Sequence, residues 1–177
     1  MPNQPITIAV KMDRKQLRSF AMFDAFSLKK RWKKPVLFSI ILTAFSIVCF
    51  LLTSFEQNRL LGTVLLVIGL GLPLVYVLMF LIQIGDEAKK LKLKTPRKVY
   101  TLELSDEKIT VTNNLMKEPP VCLEWQKLPV AFRRKNAIYL YVTRARAFIL
   151  PSGQASASDD ELWAMFERNM QKGRARG

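Results

Sequence analysis

Two long uncharged apolar runs, separated by a very short polar stretch, limit what this chain can fold into. The first run covers residues 36–55, the second covers residues 60–84, and EQNR at 56–59 lies between them. At about 1.5 Å per helical residue, each run reaches roughly the 30 Å of a bilayer core. Because bilayer hydrocarbon offers the backbone no hydrogen-bond partner, each run must form a helix, and the short link makes the two helices antiparallel. The sequence therefore predicts a transmembrane hairpin with spans at about 36–55 and 60–84 and with EQNR as its tip.

Basic residues concentrate on one side of this hairpin. Five precede the first span and six follow the second, whereas the tip has only Arg59, offset by Glu56. By the positive-inside rule, both termini are expected in the cytoplasm. A signal peptide fits poorly, because the apolar run is long, begins late and lacks a small-residue cleavage site. The residues predicted to contact the membrane surface are Lys29, Lys30, Arg31, Trp32, Lys33, Lys34, Lys89, Lys90, Lys92, Lys94, Arg97 and Lys98.

The composition narrows the function classes further. The formal net charge is +14, and eleven of the 28 basic residues are the flanks just described, so the excess predicts contact with anionic lipids and not with nucleic acid. The chain has no histidine and no glycine-rich phosphate loop, which removes histidine-based triads and most zinc sites. Cys49 and Cys122 are not expected to pair. We expect no catalytic residue, metal or cofactor, and hence no enzyme.

The residues after 98 alternate with the period of two that is typical of half-buried strands. VYTLELS at 99–105 is followed by KITVT, VCLEW, VAFRRK, AIYLYV and AFIL, with short turn sequences between them. These six strands are predicted to pair antiparallel as a meander. A helix follows, since Ser158 and Glu161 have the spacing of a capping box. Asp159, Asp160 and Glu161 are interpreted as carboxylates that stabilise its first turn.

The N-terminal segment adds one strand and one helix. ITIAVKM places Ile6, Ile8 and Val10 on one face, and Asp13 can cap the amphipathic helix that follows. If this strand joins the later six, the hairpin is an insertion within one domain; pairing with another subunit is the alternative. The predicted divisions are 1–34 for strand and amphipathic helix, 35–85 for the hairpin, 86–98 for a basic linker and 99–177 for the soluble domain.

Two packing predictions follow from the same patterns. Val121, Leu123 and Trp125 share one strand face, so Trp125 is predicted to be a core residue. Small residues lie on one face of each span, and packing of these faces within the hairpin explains them without a partner. The residues are Ser39, Thr43 and Ser46 in the first span, and Gly62, Gly69 and Pro73 in the second.

Three short apolar motifs in the soluble part match a known layout. They are WQKL, YLY and FILP, with Trp125, Leu128, Tyr139, Leu140, Tyr141, Ile149, Leu150 and Pro151 as the matching positions. These motifs follow a strand, a helix and a tight hairpin in the sequence, and this order resembles that of the YcxB-like family of bacterial membrane proteins. The resemblance implies a pleckstrin-homology-like cytoplasmic domain with no established activity. We expect a membrane α+β protein of the bacterial inner membrane: a two-helix transmembrane hairpin and a small cytoplasmic antiparallel β-barrel with a C-terminal helix.

A second basic cluster is the candidate contact for an anion or a partner. It consists of Arg133, Arg134, Lys135, Arg144 and Arg146, which we place on neighbouring hairpin ends. No phosphoinositide site is transferred from pleckstrin-homology domains, because the insertion replaces the loop that usually holds the phosphate. We favour an adaptor or regulator for a protein partner. The alternatives are recognition of anionic lipid headgroups and a small channel or transporter subunit, which would form a homo-oligomer.

Overall fold

The computed structural model describes residues 5–52, 56–115 and 119–177, which form two compact units. One unit, here called the sheet domain, comprises the chain up to Phe20 and Leu91–Gly177, and the other comprises Ala21–Lys90. Residues 53–55, which end the first predicted span, and 116–118, in the predicted loop between the second and third strands of the meander, lie outside the described residues.

The N-terminal strand pairs within its own chain. The first sheet has the order β1 (Ile6–Met12), β2 (Arg97–Leu104), β3 (Lys108–Asn113) and β4 (Val121–Glu124), all antiparallel. β1 and β2 pair from Ile6 opposite Leu104 to Met12 opposite Arg97. The hairpin sequence is therefore an insertion between two neighbouring strands of one sheet, and its two ends leave that sheet side by side.

The second sheet contains the other predicted strands and one more. Its order is β7 (Ala147–Pro151), β6 (Ala137–Tyr141), β5 (Val130–Arg134) and β8 (Ala175–Arg176), with β8 parallel to β5. β8 was not predicted, because two residues are too short to show an alternation. The predicted strands form two four-stranded sheets, and the described residues show no closed barrel. β1 also meets the segment after β7: Ile8 bridges to Ala155, and the Ser156 amide donates to the Thr7 carbonyl at 2.9 Å. The Lys11 amide donates to Gln154 Oε1 at 2.7 Å.

A tyrosine hydroxyl joins the two sheets. Tyr100 of β2 donates to the Ile149 carbonyl at 2.8 Å and accepts from the Ile149 amide at 2.7 Å. Its ring also meets Phe148 edge to face, with centroids 5.0 Å apart. Since β7 is an edge strand, this hydroxyl satisfies backbone groups that would otherwise lack a partner in the buried interior.

The C-terminal helix confirms its predicted cap. Helix α4 covers Asp159–Asn169, and Ser158 and Glu161 exchange side-chain hydrogen bonds with each other's backbone amides. Trp125 is buried as predicted, but the reason given for it was wrong: Val121 is 56% exposed, and Trp125 begins a 3₁₀ turn after β4. Its indole donates to the Ser105 carbonyl at 2.8 Å and its ring meets Phe166 of α4 edge to face.

The remaining helices precede β2. Helix α1 covers Arg14–Met22, and Asp13 and Gln16 cap it by reciprocal side-chain to backbone hydrogen bonds. A π-helical segment at Phe23–Leu28 follows. Helix α2 covers Lys33–Leu51 and α3 covers Glu56–Lys90. The backbone of the predicted tip, EQNR, is the first turn of α3, because no signal in the sequence stops that helix from beginning early. Residues 86–90 of the predicted linker continue the helix.

The small-residue faces of α2 and α3 pack against each other. Ser46 Oγ donates to the Gly62 carbonyl at 2.6 Å, and Ser39 Oγ donates to the Gly69 carbonyl. A Cβ on Gly69 would lie 3.1 Å from Thr43 Oγ1, so the helices approach as closely as glycine allows. Packing within the hairpin therefore accounts for both faces, as predicted.

Candidate functional site

The end of β5 presents three consecutive basic residues. Arg133 and Arg134 are the last residues of β5, and Lys135 begins the two-residue turn to β6, in which Arg134 pairs with Ala137. Arg133 is partly exposed, while Arg134 and Lys135 are exposed. Such a tight turn leaves long side chains no room inside the sheet, so their charged ends extend away from the core.

A groove of about 350 Å³ lies beside this turn, here called the basic groove. It is lined by Arg133, Arg134, Lys135, Ile138, Ser152 and Asp159. The antiparallel pairing of β6 with β7 brings Pro151 opposite Ala137, and the Ser152 amide donates to the Asn136 carbonyl at 3.0 Å. The sheet register therefore puts the residues after β7 next to the basic turn.

Carboxylates from the start of α4 enter the same region. Asp159 Oδ1 accepts from the Gly153 amide at 3.1 Å, which holds the loop after β7 against the helix start. Asp160 pairs with the guanidinium of Arg133. Three cations thus meet two carboxylates, and the groove presents both signs of charge with an excess of positive charge.

The predicted basic cluster is not one site, and this is a correction. Consecutive hairpins of a meander turn at opposite ends of their shared strand, and β6 runs from the Arg134 end to the turn that contains Arg144 and Arg146. The four steps from Ala137 to Tyr141 cover about 13 Å at roughly 3.3 Å per residue. Arg144 and Arg146 therefore lie away from the basic groove. Tyr141, three residues before Arg144, contacts Phe20, where the N-terminal part of the sheet domain ends.

The residues predicted to contact the membrane surface have several kinds of environment. Lys29 pairs with Asp24 at 2.7 Å and Lys89 with Asp86 at 3.2 Å. Lys92 has a left-handed backbone, with φ at 53°. Trp32 is 39% exposed. The other basic residues of the two flanks are also exposed: Lys30, Arg31, Lys33, Lys34, Lys90, Lys94, Arg97 and Lys98.

Sequence reasoning missed three residues of the groove region. Ser152, Asp159 and Asp160 follow Lys135 by 17, 24 and 25 residues, and only the pairing of β7 and the position of α4 bring them there. The carboxylates were assigned to the helix start, and the cap confirms that the helix begins there. Within the described residues, no group of three or more metal-binding side chains is assembled.

Comparisons of the chain with protein-family models, with curated proteins and with solved structures find no match. The function of the sheet domain must therefore be inferred from its own residues.

Proposed function

We propose that the chain is a two-span protein of the bacterial inner membrane, with both termini in the cytoplasm. Its pleckstrin-homology-like sheet domain acts by binding and not by catalysis. It is an adaptor or regulator that holds a protein partner at the membrane, and the partner presents an acidic segment to the basic groove.

The exposure of α2 and α3 supports membrane insertion. Both helices are long and apolar enough to cross a bilayer, and in each only 6% of the most apolar window is buried. A core helix of a soluble protein would be mostly buried. Leu37, Phe45 and Leu74 are 60%, 60% and 72% exposed, which would be unfavourable in water but is what hydrocarbon contact requires.

The charge of the basic groove supports an acidic polypeptide over a compact phosphate. Arg133 is already paired with Asp160, and Asp159 lines the groove beside Lys135. A phosphate monoester concentrates its charge at one point near these two carboxylates, whereas an extended acidic segment can spread its charges along the groove. The observation on which the proposal depends is the groove itself, where three consecutive basic residues outnumber the nearby carboxylates. An extended acidic segment could place its carboxylates near Lys135 and its amides near Ser152.

The membrane part is tested by thiol labelling. Asn58→Cys should react with a membrane-impermeant thiol reagent in intact spheroplasts, and Gly177→Cys should not, because the positive charge lies at the two flanks. Both variants also need Cys49→Ser and Cys122→Ser, so that only the introduced thiol reacts. Labelling of Gly177→Cys with protection of Asn58→Cys would refute the orientation.

The adaptor part is tested with the detergent-solubilised full chain and a fluorescent oligoglutamate peptide. Binding should weaken in Arg134→Gln/Lys135→Gln. The matched control is Arg144→Gln/Arg146→Gln, which removes the same charge at the other end of β6. Equal loss in both double variants would mean general charge attraction and would refute the groove. Tighter binding of inositol phosphates than of the peptide, lost in the first variant alone, would favour the lipid-headgroup alternative.

A further inference from the structure

The inserted helices contain an apolar cleft that the proposed adaptor role does not use. It has a volume of about 230 Å³ and is lined almost entirely by carbon atoms. Phe26, Trp32, Pro35 and Val36 line one side, from the π-helical segment to the start of α2. The other side is formed by Pro73, Tyr76 and Val77, in the middle of α3.

The cleft lies at a defined depth along α3. From Glu56 to Tyr76 the helix rises about 30 Å, which is roughly the thickness of the bilayer core. On the other side of the cleft, Trp32 and Pro35 lie at the start of α2, where the first predicted span begins, so this side lies where acyl chains meet headgroups. The remaining residues of α3, up to Lys90, extend beyond that level, and Phe80 meets Phe26 there with ring centroids 5.4 Å apart.

Local contacts hold the cleft open. The Trp32 indole donates to the Phe26 carbonyl at 3.2 Å, which fixes the tryptophan ring to the π-helical segment. The Lys33 amide donates to the Lys30 carbonyl at 3.1 Å, and Lys30 has φ at 48°. These contacts fix the turn between the π-helical segment and α2, and with it the position of the Trp32 ring. Pro73 has no backbone N–H, so on that side of the cleft the backbone at this position presents only carbon atoms.

The side chains around the cleft select the charge of its occupant. Lys30, Arg31, Lys33 and Lys34 are exposed and are the sequence neighbours of Trp32 and Pro35. An apolar void open to lipid loses contacts unless hydrocarbon fills it. We propose that the cleft binds one acyl chain of an anionic phospholipid, whose headgroup contacts these four basic residues. The inference rests on the proposed membrane insertion, and it adds a defined lipid site to it.

The test uses the full chain in phosphatidylcholine nanodiscs that contain a photoactivatable phosphatidylglycerol with a diazirine on its acyl chain. Mass spectrometry should find crosslinks within residues 26–36 and 73–77. A phosphatidylcholine probe of the same chain length should label the cleft less, by about fivefold for each basic residue that contacts the headgroup. Lys33→Gln/Lys34→Gln should reduce that preference, whereas Lys89→Gln/Lys90→Gln, with the same charge change on α3, should not.

A second pair of variants separates the cleft from the general lipid surface. Val77→Trp fills the cleft and should abolish crosslinking there. Val75→Trp makes the same change at an exposed position of α3 that does not line the cleft, and it should leave crosslinking unchanged. Equal labelling by the two probes, or equal loss in the two variants, would overturn the proposal. A crosslinked dimer in place of lipid adducts would assign the cleft to a second copy. Failure of the chain to float with lipid vesicles would instead refute the membrane insertion itself.

Discussion

The sheet domain and the hairpin distribute polarity in opposite ways. In the sheet domain, Ile8, Leu102 and Phe166 are completely buried, and the hydroxyl of Tyr100 finds its partners in the backbone. In the hairpin, serine, threonine and glycine lie at the helix contact beside Leu42, Cys49 and Phe50, and many large apolar side chains are exposed. Ser39 and Ser46 are the buried polar residues among those that the structure describes.

This contrast fits a sheet domain in water and, as proposed, a hairpin in lipid. In water, burial of apolar area stabilises a fold, so the core is apolar. In lipid, apolar side chains gain nothing by leaving the hydrocarbon, so close backbone approach and hydrogen bonds between helices must hold the pair together. The following predictions test whether the two regions obey these two rules.

The largest effect is expected in the sheet domain. Trp125→Ala should cost about 3 to 5 kcal/mol of unfolding free energy, because it empties a buried site and removes the hydrogen bond to Ser105. Scanning calorimetry of the purified protein should show a much lower transition temperature. Val121→Ala, on the exposed edge strand β4, is the control and should change stability by less than about 0.5 kcal/mol. Wild-type stability of Trp125→Ala, together with lost partner binding, would make Trp125 a site residue.

In the hairpin, a larger side chain should be destabilising at the contact between α2 and α3, although the same apolar substitution is expected to be harmless on the exposed face. Gly69→Leu should disturb the pair by about 1 to 3 kcal/mol, because even a Cβ there would lie 3.1 Å from Thr43 Oγ1 and 3.3 Å from Leu42 Cβ. Gly71→Leu is the control, since a Cβ at that position meets nothing within 4 Å. Spin labels on α2 and α3 should report a longer distance in the first variant only. The same distance in both would mean that close approach does not hold the helices together.

Removal of the hydroxyl between the two sheets should have a moderate effect. Tyr100→Phe leaves the Ile149 amide and carbonyl without their partner and should cost about 1 to 3 kcal/mol in chemical denaturation. If the variant is as stable as the wild type, the hydroxyl does not contribute to the joining of the sheets.

The same residue should make the stability of the wild type depend on alkaline pH. Burial raises the pKa of Tyr100 well above its ordinary value of about 10, although the hydrogen bond with Ile149 opposes the shift. Below pH 10 or so the phenol is neutral in both states; above it the unfolded chain loses the proton and the folded chain keeps it. Stability should therefore fall as pH rises, and the stability difference between the wild type and Tyr100→Phe should shrink.

The smallest effect is expected at the surface of the sheet domain. Hydrogen bonds from Asn169, at 3.2 Å, and Arg168, at 2.5 Å, hold the pKa of Asp106 below its usual range. The stabilisation is present above about pH 4 and is lost as pH falls through the pKa in the folded state. Asp106→Asn should lower the unfolding midpoint slightly at pH 7 and not at pH 2. Glu107→Gln is the control, and an equal decrease in both would indicate net charge only.

Periodic patterns and caps could be predicted because each is local. The alternation in VYTLELS, the spacing of Ser158 and Glu161, and the length of the two apolar runs each reflect contacts among near neighbours in the chain. The strands and helices therefore lie close to the predicted positions. Even so, the start of α3 at Glu56 was missed, since polar residues can begin a helix as readily as they can form a turn.

The sequence by itself determined the element order, the two apolar helices and the position of the basic residues, because these depend on composition and short periods. Only the tertiary structure decided that β1 pairs with β2 across the insertion, that β8 joins β5, and that Arg133 to Lys135 share a groove with Ser152 and Asp159 while Arg144 and Arg146 do not. Those contacts join residues far apart in the chain. They depend on sheet register and on the direction in which each hairpin turns, and no short stretch of sequence specifies either.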